Sequence, residues 1–217
     1  AVRAATPDVS VLIPSWNAAR VIDRAIGSAL ESPGLDVEVV VVDDASTDGT
    51  ADVVAGIAAR DPRVVLVRQP SNAGVSAARN AGLERVRGTW LSLLDADDRF
   101  LPGGLAALHA AAVRSDAQAV VGQQVWSNGR QHWIGPLYDN PDIRTPGRTS
   151  LAARPGLLYH ASPHAKLFRT SMVADLRFEG RVLGDQPWVL RGLLRAGDRL
   201  DVIATDVYEW IRTPPPG

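Results

Sequence analysis

Four short apolar runs, at residues 9–13, 37–42, 64–67 and 90–94, precede residue 95, and the first three are each followed by a stretch of helical period. That alternation narrows the choice of fold more than any other feature. Parallel neighbours need a crossover of about a dozen residues or more, and a helix is the usual crossover. Val21, Ile22, Ala25, Ile26, Ala29 and Leu30 carry the first helical period, and Val53, Val54, Ile57 and Ala58 the second. Small residues at Ala77, Ala78, Ala81 and Gly82, with Val86, mark a third helix able to lie close on a sheet. The pattern predicts an α/β fold with a mixed, mainly parallel, Rossmann-like sheet flanked by helices.

Farther along, residues 101–113 read as a helix with Pro102 in its first turn, and residues 119–125 as a strand. From 126 to 165, Gly, Pro, Asn, His, Trp and Tyr displace the aliphatic pattern, as in a functional lid or a set of surface loops. Regular structure is expected again over 170–176, in a helix over 185–196, and in two short strands at 200–203 and 207–211.

With 217 residues, the chain is read as a single domain, 1–217. A net charge of -1 argues against nucleic acid as a partner. There is no cysteine, so a metal must be held by oxygen or nitrogen. No apolar run approaches the roughly 20 residues that cross a bilayer, so no transmembrane segment is expected, and peripheral membrane contact is left open. Residues 1–7 lack the pattern of a secretory signal, which makes the cytoplasm the expected location. Residues 213–217, ending Pro214-Pro215-Pro216-Gly217, read as a tail or linker and hint at a longer protein.

Chemistry concentrates where strands end. Ser92-Leu93-Leu94 runs into Asp95-Ala96-Asp97-Asp98, three carboxylates in four residues. Oxygen ligands of this kind suit hard divalent cations such as Mn²⁺ or Mg²⁺, which complete their shell with substrate phosphates. Pro14-Ser15-Trp16-Asn17, Asp43-Asp44 and Ser71-Asn72 close the other strands. A parallel sheet brings such ends to one edge, so these residues are expected to share a crevice. A solvated acidic turn, or helix capping by Asp43, Asp44 and Asp185, is the plainer alternative.

These motifs resemble those of family 2 glycosyltransferases, whose fold is GT-A. The matching stretches are residues 9–17, 40–50, 72–82 and 93–98, four ordered motifs over roughly residues 8–100. Trp16 stands where the family more often has Tyr or Phe. The resemblance implies a nucleotide-sugar donor, with UDP the favoured nucleotide, bound by the 8–100 half, and an acceptor bound by the 101–212 half. Asp44 would pair with the base beside Pro14, Trp16 and Asn17, with Asp43 and Asn72 close by. Arg79 would anchor the nucleotide, Asp95 with Ala96 would reach the ribose, and Asp97 with Asp95 would hold the metal. Residues 181–188 resemble the family's acidic-pair motif, with Gly184 where Glu is usual. That leaves Asp185 as the base for an inverting transfer to a hydroxyl acceptor, a glycan or polymer. Gln186, Trp188 and His160 are the acceptor-side candidates, and the stretch 160–169 resembles bacterial members that act on cell-surface polymers. Trp126, Trp133, Tyr138 and Trp210 are further aromatic platforms for a sugar, although such rings more often pack in a core or lid.

Other classes fit less well. A receiver-like signalling module would carry its acidic pair after a different strand and needs about half this length. Dinucleotide oxidoreductases are disfavoured because GxGxxG is absent. A non-catalytic carbohydrate- or nucleotide-binding domain of the same fold stays open because of Gly184.

Overall fold

The computed structural model describes residues 6–128, 130–180 and 184–212. The closing prolines, residues 1–5 of the N-terminal stretch and residues 181–183 of the acidic-pair motif lie outside the described residues. The first strands, Val9–Ser15 (β1) and Val37–Asp43 (β2), are buried along their whole length, as central parallel strands covered on both faces must be. Ile22–Leu30 (α1) connects them and turns Ile22, Ala25, Ile26 and Ala29 to the sheet. Thr50–Ala58 (α2), Val64–Arg68 (β3), Val75–Leu83 (α3) and Trp90–Leu93 (β4) complete the first half. The second half contains Arg99–Phe100 (β5), Gly104–Ser115 (α4), Ala119–Ser127 (β6), His132–Trp133 (β7), Pro141–Arg144 (α5) and Gly147–Thr149 (β8). Lys166–Arg169 (β9), Thr170–Val173 (α6), Asp185–Ala196 (α7) and Leu200–Ile211 (β10) follow.

Among the described residues these strands form one mixed sheet in the order β3-β2-β1-β4-β9-β6-β10-β5, with β7 on β6 and β8 on β10. β1 to β4 are mutually parallel, β9 is antiparallel to both β4 and β6, and β10 is parallel to β6. The carboxyl ends of β1, β2, β4, β6 and β10 therefore share one sheet edge. The chain moves from β1 outward to β2 and β3, then returns to the other side of β1 as β4, and the gap left at such a reversal is where open α/β sheets bind ligands.

Apolar side chains fill both faces. Val9, Val11 and Ile13 pack with α1 and α4, while Leu12, Val40 and Val42 share a cluster with Phe168, Trp188 and Leu193. α3 lies against β1 so closely that a Cβ on Gly82 would stand 2.0 Å from Leu12 Cδ1. Only glycine permits that approach. It brings Arg79, three residues earlier on the same helical face, inward as well.

Several expected boundaries differ. β1 runs through Pro14 to Ser15, because a missing N–H is tolerated at the end of a strand. The two strands expected at 200–203 and 207–211 are one, β10, bent by irregular pairing between Val202 and Tyr208. The regular structure expected over 170–176 is the single turn α6. β9 was not anticipated, since four residues with two basic side chains carry no strand pattern. Its Lys166 is nevertheless fully buried. The 126–165 region is more ordered than a set of loops, containing the end of β6, β7, α5, β8 and two 3-10 turns.

Candidate active site

A cleft of about 440 Å³ opens at the β1/β4 reversal, lined by Pro14, Trp16, Asn17, Asp44, Asn72, Asp95, Ala96 and Asp97 among others. Eight of the ten residues expected around a donor meet there, from four separate loops; Asp43 and Arg79 stand behind the wall.

The loops are held by their own polar residues. Asn17 takes the left-handed conformation at φ 51°, which asparagine tolerates, and its Oδ1 accepts from Thr47 N at 2.9 Å. Its backbone N–H donates to Ser46 Oγ, also at 2.9 Å. Asp44 is buried, and its two carboxylate oxygens accept the backbone N–H groups of Ala73 and Gly74 at 2.8 Å each. That fixes the turn into α3 and leaves one face of Asp44 on the cleft. Asn72 Nδ2 donates to the Asp44 carbonyl at 3.3 Å. Asp43 accepts from Ser46 N at 3.3 Å and does not line the cleft. Trp16, 58% exposed, forms the lip.

Arg79 is not the surface residue its helix position could suggest. It is 4% exposed, places Nη2 3.0 Å from Asp95 Oδ1, and lies 5.4 Å from the Phe178 ring. Its direct partner is thus Asp95, and the nucleotide contact expected of it gives way to that ion pair. On the other side, His164 Nε2 sits 2.9 Å from Asp95 Oδ2. Burial opposes the charge of Asp95, but His164 and Arg79 outweigh it and hold the carboxyl far below its ordinary range.

Asp97 is exposed on the cleft, and its pKa is raised by burial of its carboxyl surroundings and by the neighbouring charge of Asp95. Asp98 turns inward. Burial lifts it to about 7, against hydrogen bonds from Tyr208 Oη at 2.6 Å and Ile211 N at 2.8 Å. Tyr208 also stacks on His164, with ring centroids 4.8 Å apart.

Asp95 and Asp97 fit a hard divalent cation. Both are oxygen donors on one cleft wall, and the pKa of Asp97 is raised first by burial and then by the charge of Asp95, both of which a cation would offset. Asp95, Asp98 and His164 also offer ligand atoms within 4.8 Å of one another. In that set, however, His164 faces Asp95 and both Asp98 oxygens already accept hydrogen bonds.

The acceptor-side candidates are placed differently. Asp185 occupies the first position of α7, its Oδ1 accepting from Gln186 N at 3.0 Å, and it does not line the cleft. Its charge is felt by Lys166 and Tyr138. Gln186 is exposed. Trp188 is fully buried, stacked on Phe178 at 4.7 Å and edge-on to Phe168 at 5.2 Å, so it is a core residue and the acceptor contact expected of it is corrected. His160 is likewise buried, 1% exposed, with its Nδ1 against Lys166 Nζ, and it does not line the cleft. Lys166 donates to the Ser162 and His164 carbonyls, at 2.8 Å and 3.2 Å. His164, Tyr208 and Asp98 form a network behind Asp95 that sequence reasoning did not assign. Asp98 lay within the acidic cluster itself, but nothing in the sequence pairs Tyr208 with it across 110 residues.

The sheet reversal and the carboxylate-walled cleft define an α/β protein with a candidate ligand site at its switch point. Residues 10–177 match the model of glycosyl transferase family 2, and the chain belongs to that family. Succinoglycan biosynthesis protein ExoO of Rhizobium meliloti is 45% identical over 115 residues, covering 53% of this chain and 32% of that protein. The putative teichuronic acid biosynthesis glycosyltransferase TuaG of Bacillus subtilis is 39% identical over 94 residues, 43% of this chain and 37% of its own. The chain thus spans about a third of the length of these two relatives. TarS 1-349 of S. aureus, solved in complex with UDP-GlcNAc, superposes with TM-score 0.81 over 97% of this chain and 59% of its own, at 23% identity. The mannosyltransferase PcManGT from Pyrobaculum calidifontis, solved with GDP-Man and Mn²⁺, gives TM-score 0.64 over 93% of this chain and 58% of its own, at 22% identity. The fold is the mainly parallel α/β arrangement expected from the sequence. No described helix is long and apolar enough to cross a membrane.

Proposed function

We propose that the chain is an inverting, metal-dependent glycosyltransferase domain that moves a sugar from a nucleotide-diphosphate donor, UDP in the first instance, to a hydroxyl of a glycan or polymer. The convergence of Pro14, Trp16, Asn17, Asp44, Asn72, Asp95 and Asp97 on one cleft carries this reading. TarS with UDP-GlcNAc and PcManGT with GDP-Man and Mn²⁺ lend it support through their shared fold.

In this reading Trp16 and Pro14 cover the base, and the free lone pairs of Asp44 accept its N–H. Arg79 and His164 keep Asp95 ionised at the ribose and diphosphate end. Asp97 with Asp95 would hold Mn²⁺ or Mg²⁺, which when bound supplies charge neutralisation for the departing diphosphate. Asp185, at the start of α7, takes the proton of the attacking acceptor hydroxyl. Residues 8–100 serve the donor and 101–212 the acceptor, and the expected location is the cytoplasm, in contact with the inner face of a membrane.

A non-catalytic binding domain is the second reading, favoured by Asp185 lying outside the cleft lining and by the loss of the usual Glu at Gly184. Turnover of UDP-sugars with and without Mn²⁺, in wild type and Asp185→Asn, separates the two. Mn²⁺-dependent turnover that falls at least about 100-fold in the variant supports the enzyme. Donor binding without turnover in wild type supports the second reading.

A further inference from the structure

The edge that holds the cleft continues across β6 and β10, where a row of indoles stands unused by the donor. Trp126 on β6 pairs in register with Trp133 on β7 and with Trp210 on β10. Directly opposed residues share one face of a sheet. The ring centroids are 6.4 Å and 5.3 Å from that of Trp126. Trp133 and Trp210 remain 38% and 37% exposed.

Two residues back along β6, and so on the same face, Gln124 is 2% exposed, and neither its amide oxygen nor its amide nitrogen has a hydrogen-bond partner among the described residues. Trp126 Nε1 and His160 Nε2 are in the same state. Lys166 Nζ takes up His160 Nδ1, so Nε2 is the ring nitrogen left unmet. The Tyr138 ring joins the group, 6.3 Å from Trp126 and 4.9 Å from His160. Buried polar atoms without partners are costly and few in native folds. Four of them beside half-open aromatic rings call for a ligand with polar groups on its rim and an apolar face.

A pyranose has that form: C–H groups on its face, hydroxyls that donate and accept around its edge. An apolar peptide or a lipid chain would cover the indoles and leave the four polar atoms unmet. The strip also leads to the reaction centre, since Gln124 pairs in register with Tyr208, whose hydroxyl donates to Asp98.

We propose that this face is the acceptor subsite and that it takes a saccharide chain, with sugar rings on the exposed Trp133 and Trp210 and hydroxyls on the Gln124 amide, the Trp126 N–H and His160 Nε2. The proposal deepens the glycosyl-transfer reading and rests on it. Gly135 packs on the Trp126 ring, where an added Cβ would stand 2.7 Å away, so residues 133–138 shift outward as the hydroxyls reach the Trp126 nitrogen.

The test titrates intrinsic tryptophan fluorescence with cellohexaose, laminarihexaose and maltohexaose, alongside the thermal shift produced by UDP-GlcNAc and Mn²⁺. At least one hexasaccharide is expected to quench saturably, and Trp210→Ala to raise its half-saturation about tenfold. Gln124→Leu is expected to weaken the same binding while raising the Tm of the free protein, because it removes an unmet amide, whereas a purely structural glutamine would lower Tm on replacement. Loss of the nucleotide-sugar shift in wild type with quenching intact would sink the donor reading and leave a saccharide site standing. A normal nucleotide-sugar shift with no quenching by any of the three sugars, or a Gln124→Leu protein that melts lower and still quenches like wild type, overturns the subsite.

Discussion

Arg79 reaches Asp95 from behind the cleft wall, Nη2 to Oδ1 at 3.0 Å, with only 5% of the arginine side chain exposed against 33% of the aspartate. The cation is locked in the protein and the anion faces the ligand. Breaking the pair from the arginine side leaves a half-buried carboxylate short of one partner. Arg79→Met is expected to cost about 2–4 kcal/mol, with Asp95→Asn in the same background recovering part of it. Urea unfolding of the two single variants and the double variant measures this; additive losses would show that the ion pair contributes nothing.

Asp97 is the opposite case. Its charge is opposed by its surroundings and by Asp95. Asp97→Asn is expected to leave the free protein within about 1 kcal/mol of wild-type stability, or above it, since like-charge repulsion is removed. The Mn²⁺-dependent thermal shift with a UDP-sugar should disappear, and any sugar transfer should fall at least about 100-fold. A full shift in the variant would remove Asp97 from the metal site.

Gly184 stands where the resemblance to the family's acidic-pair motif leads one to expect Glu, yet placing Glu there is not expected to add activity. A Cβ there would lie 2.2 Å from the Glu179 carbonyl oxygen and 2.6 Å from Ser76 Oγ. Gly184→Glu should therefore destabilise by about 1–3 kcal/mol and lower transfer as the start of α7 shifts. Thermal melts with parallel assays decide; a variant as stable as wild type and more active would mean that this packing is readily rearranged.

His160 and Lys166 are both held well below their ordinary values of 6.5 and 10.5, in each case first by burial. A group that binds fewer protons folded than unfolded makes stability rise with pH, from its folded value up to its ordinary one. Stability should therefore climb between about pH 7 and pH 9.5 in wild type, and Lys166→Met should flatten that climb. Urea midpoints at three pH values test it, and an unchanged slope in the variant would mean that Lys166 keeps its proton in the fold.

The first half of the chain was legible because its signals are local. Apolar runs at β1, β2, β3 and β4 and the helical periods between them follow from neighbours within a few residues, and parallel topology then brings their ends together. Asp44, Asn72, Asp95 and Asp97 thus meet in the cleft as expected. The second half was less legible. β9 is too short and too basic to read as a strand, and β10 was split in two because its bulge breaks the alternation.

By itself, then, the order of residues determined the sheet, the edge at which the cleft opens and most of that cleft's wall, since each depends on short-range pattern and a rule of chain connection. Only the folded molecule decided which charges touch. It made Arg79, expected to anchor a nucleotide, the partner of Asp95, sent Trp188 into the core between Phe168 and Phe178, and closed His164, Tyr208 and Asp98 into one network. Those contacts join residues up to 110 positions apart. They arise from how helices and strands pack, and no local pattern along the chain encodes them.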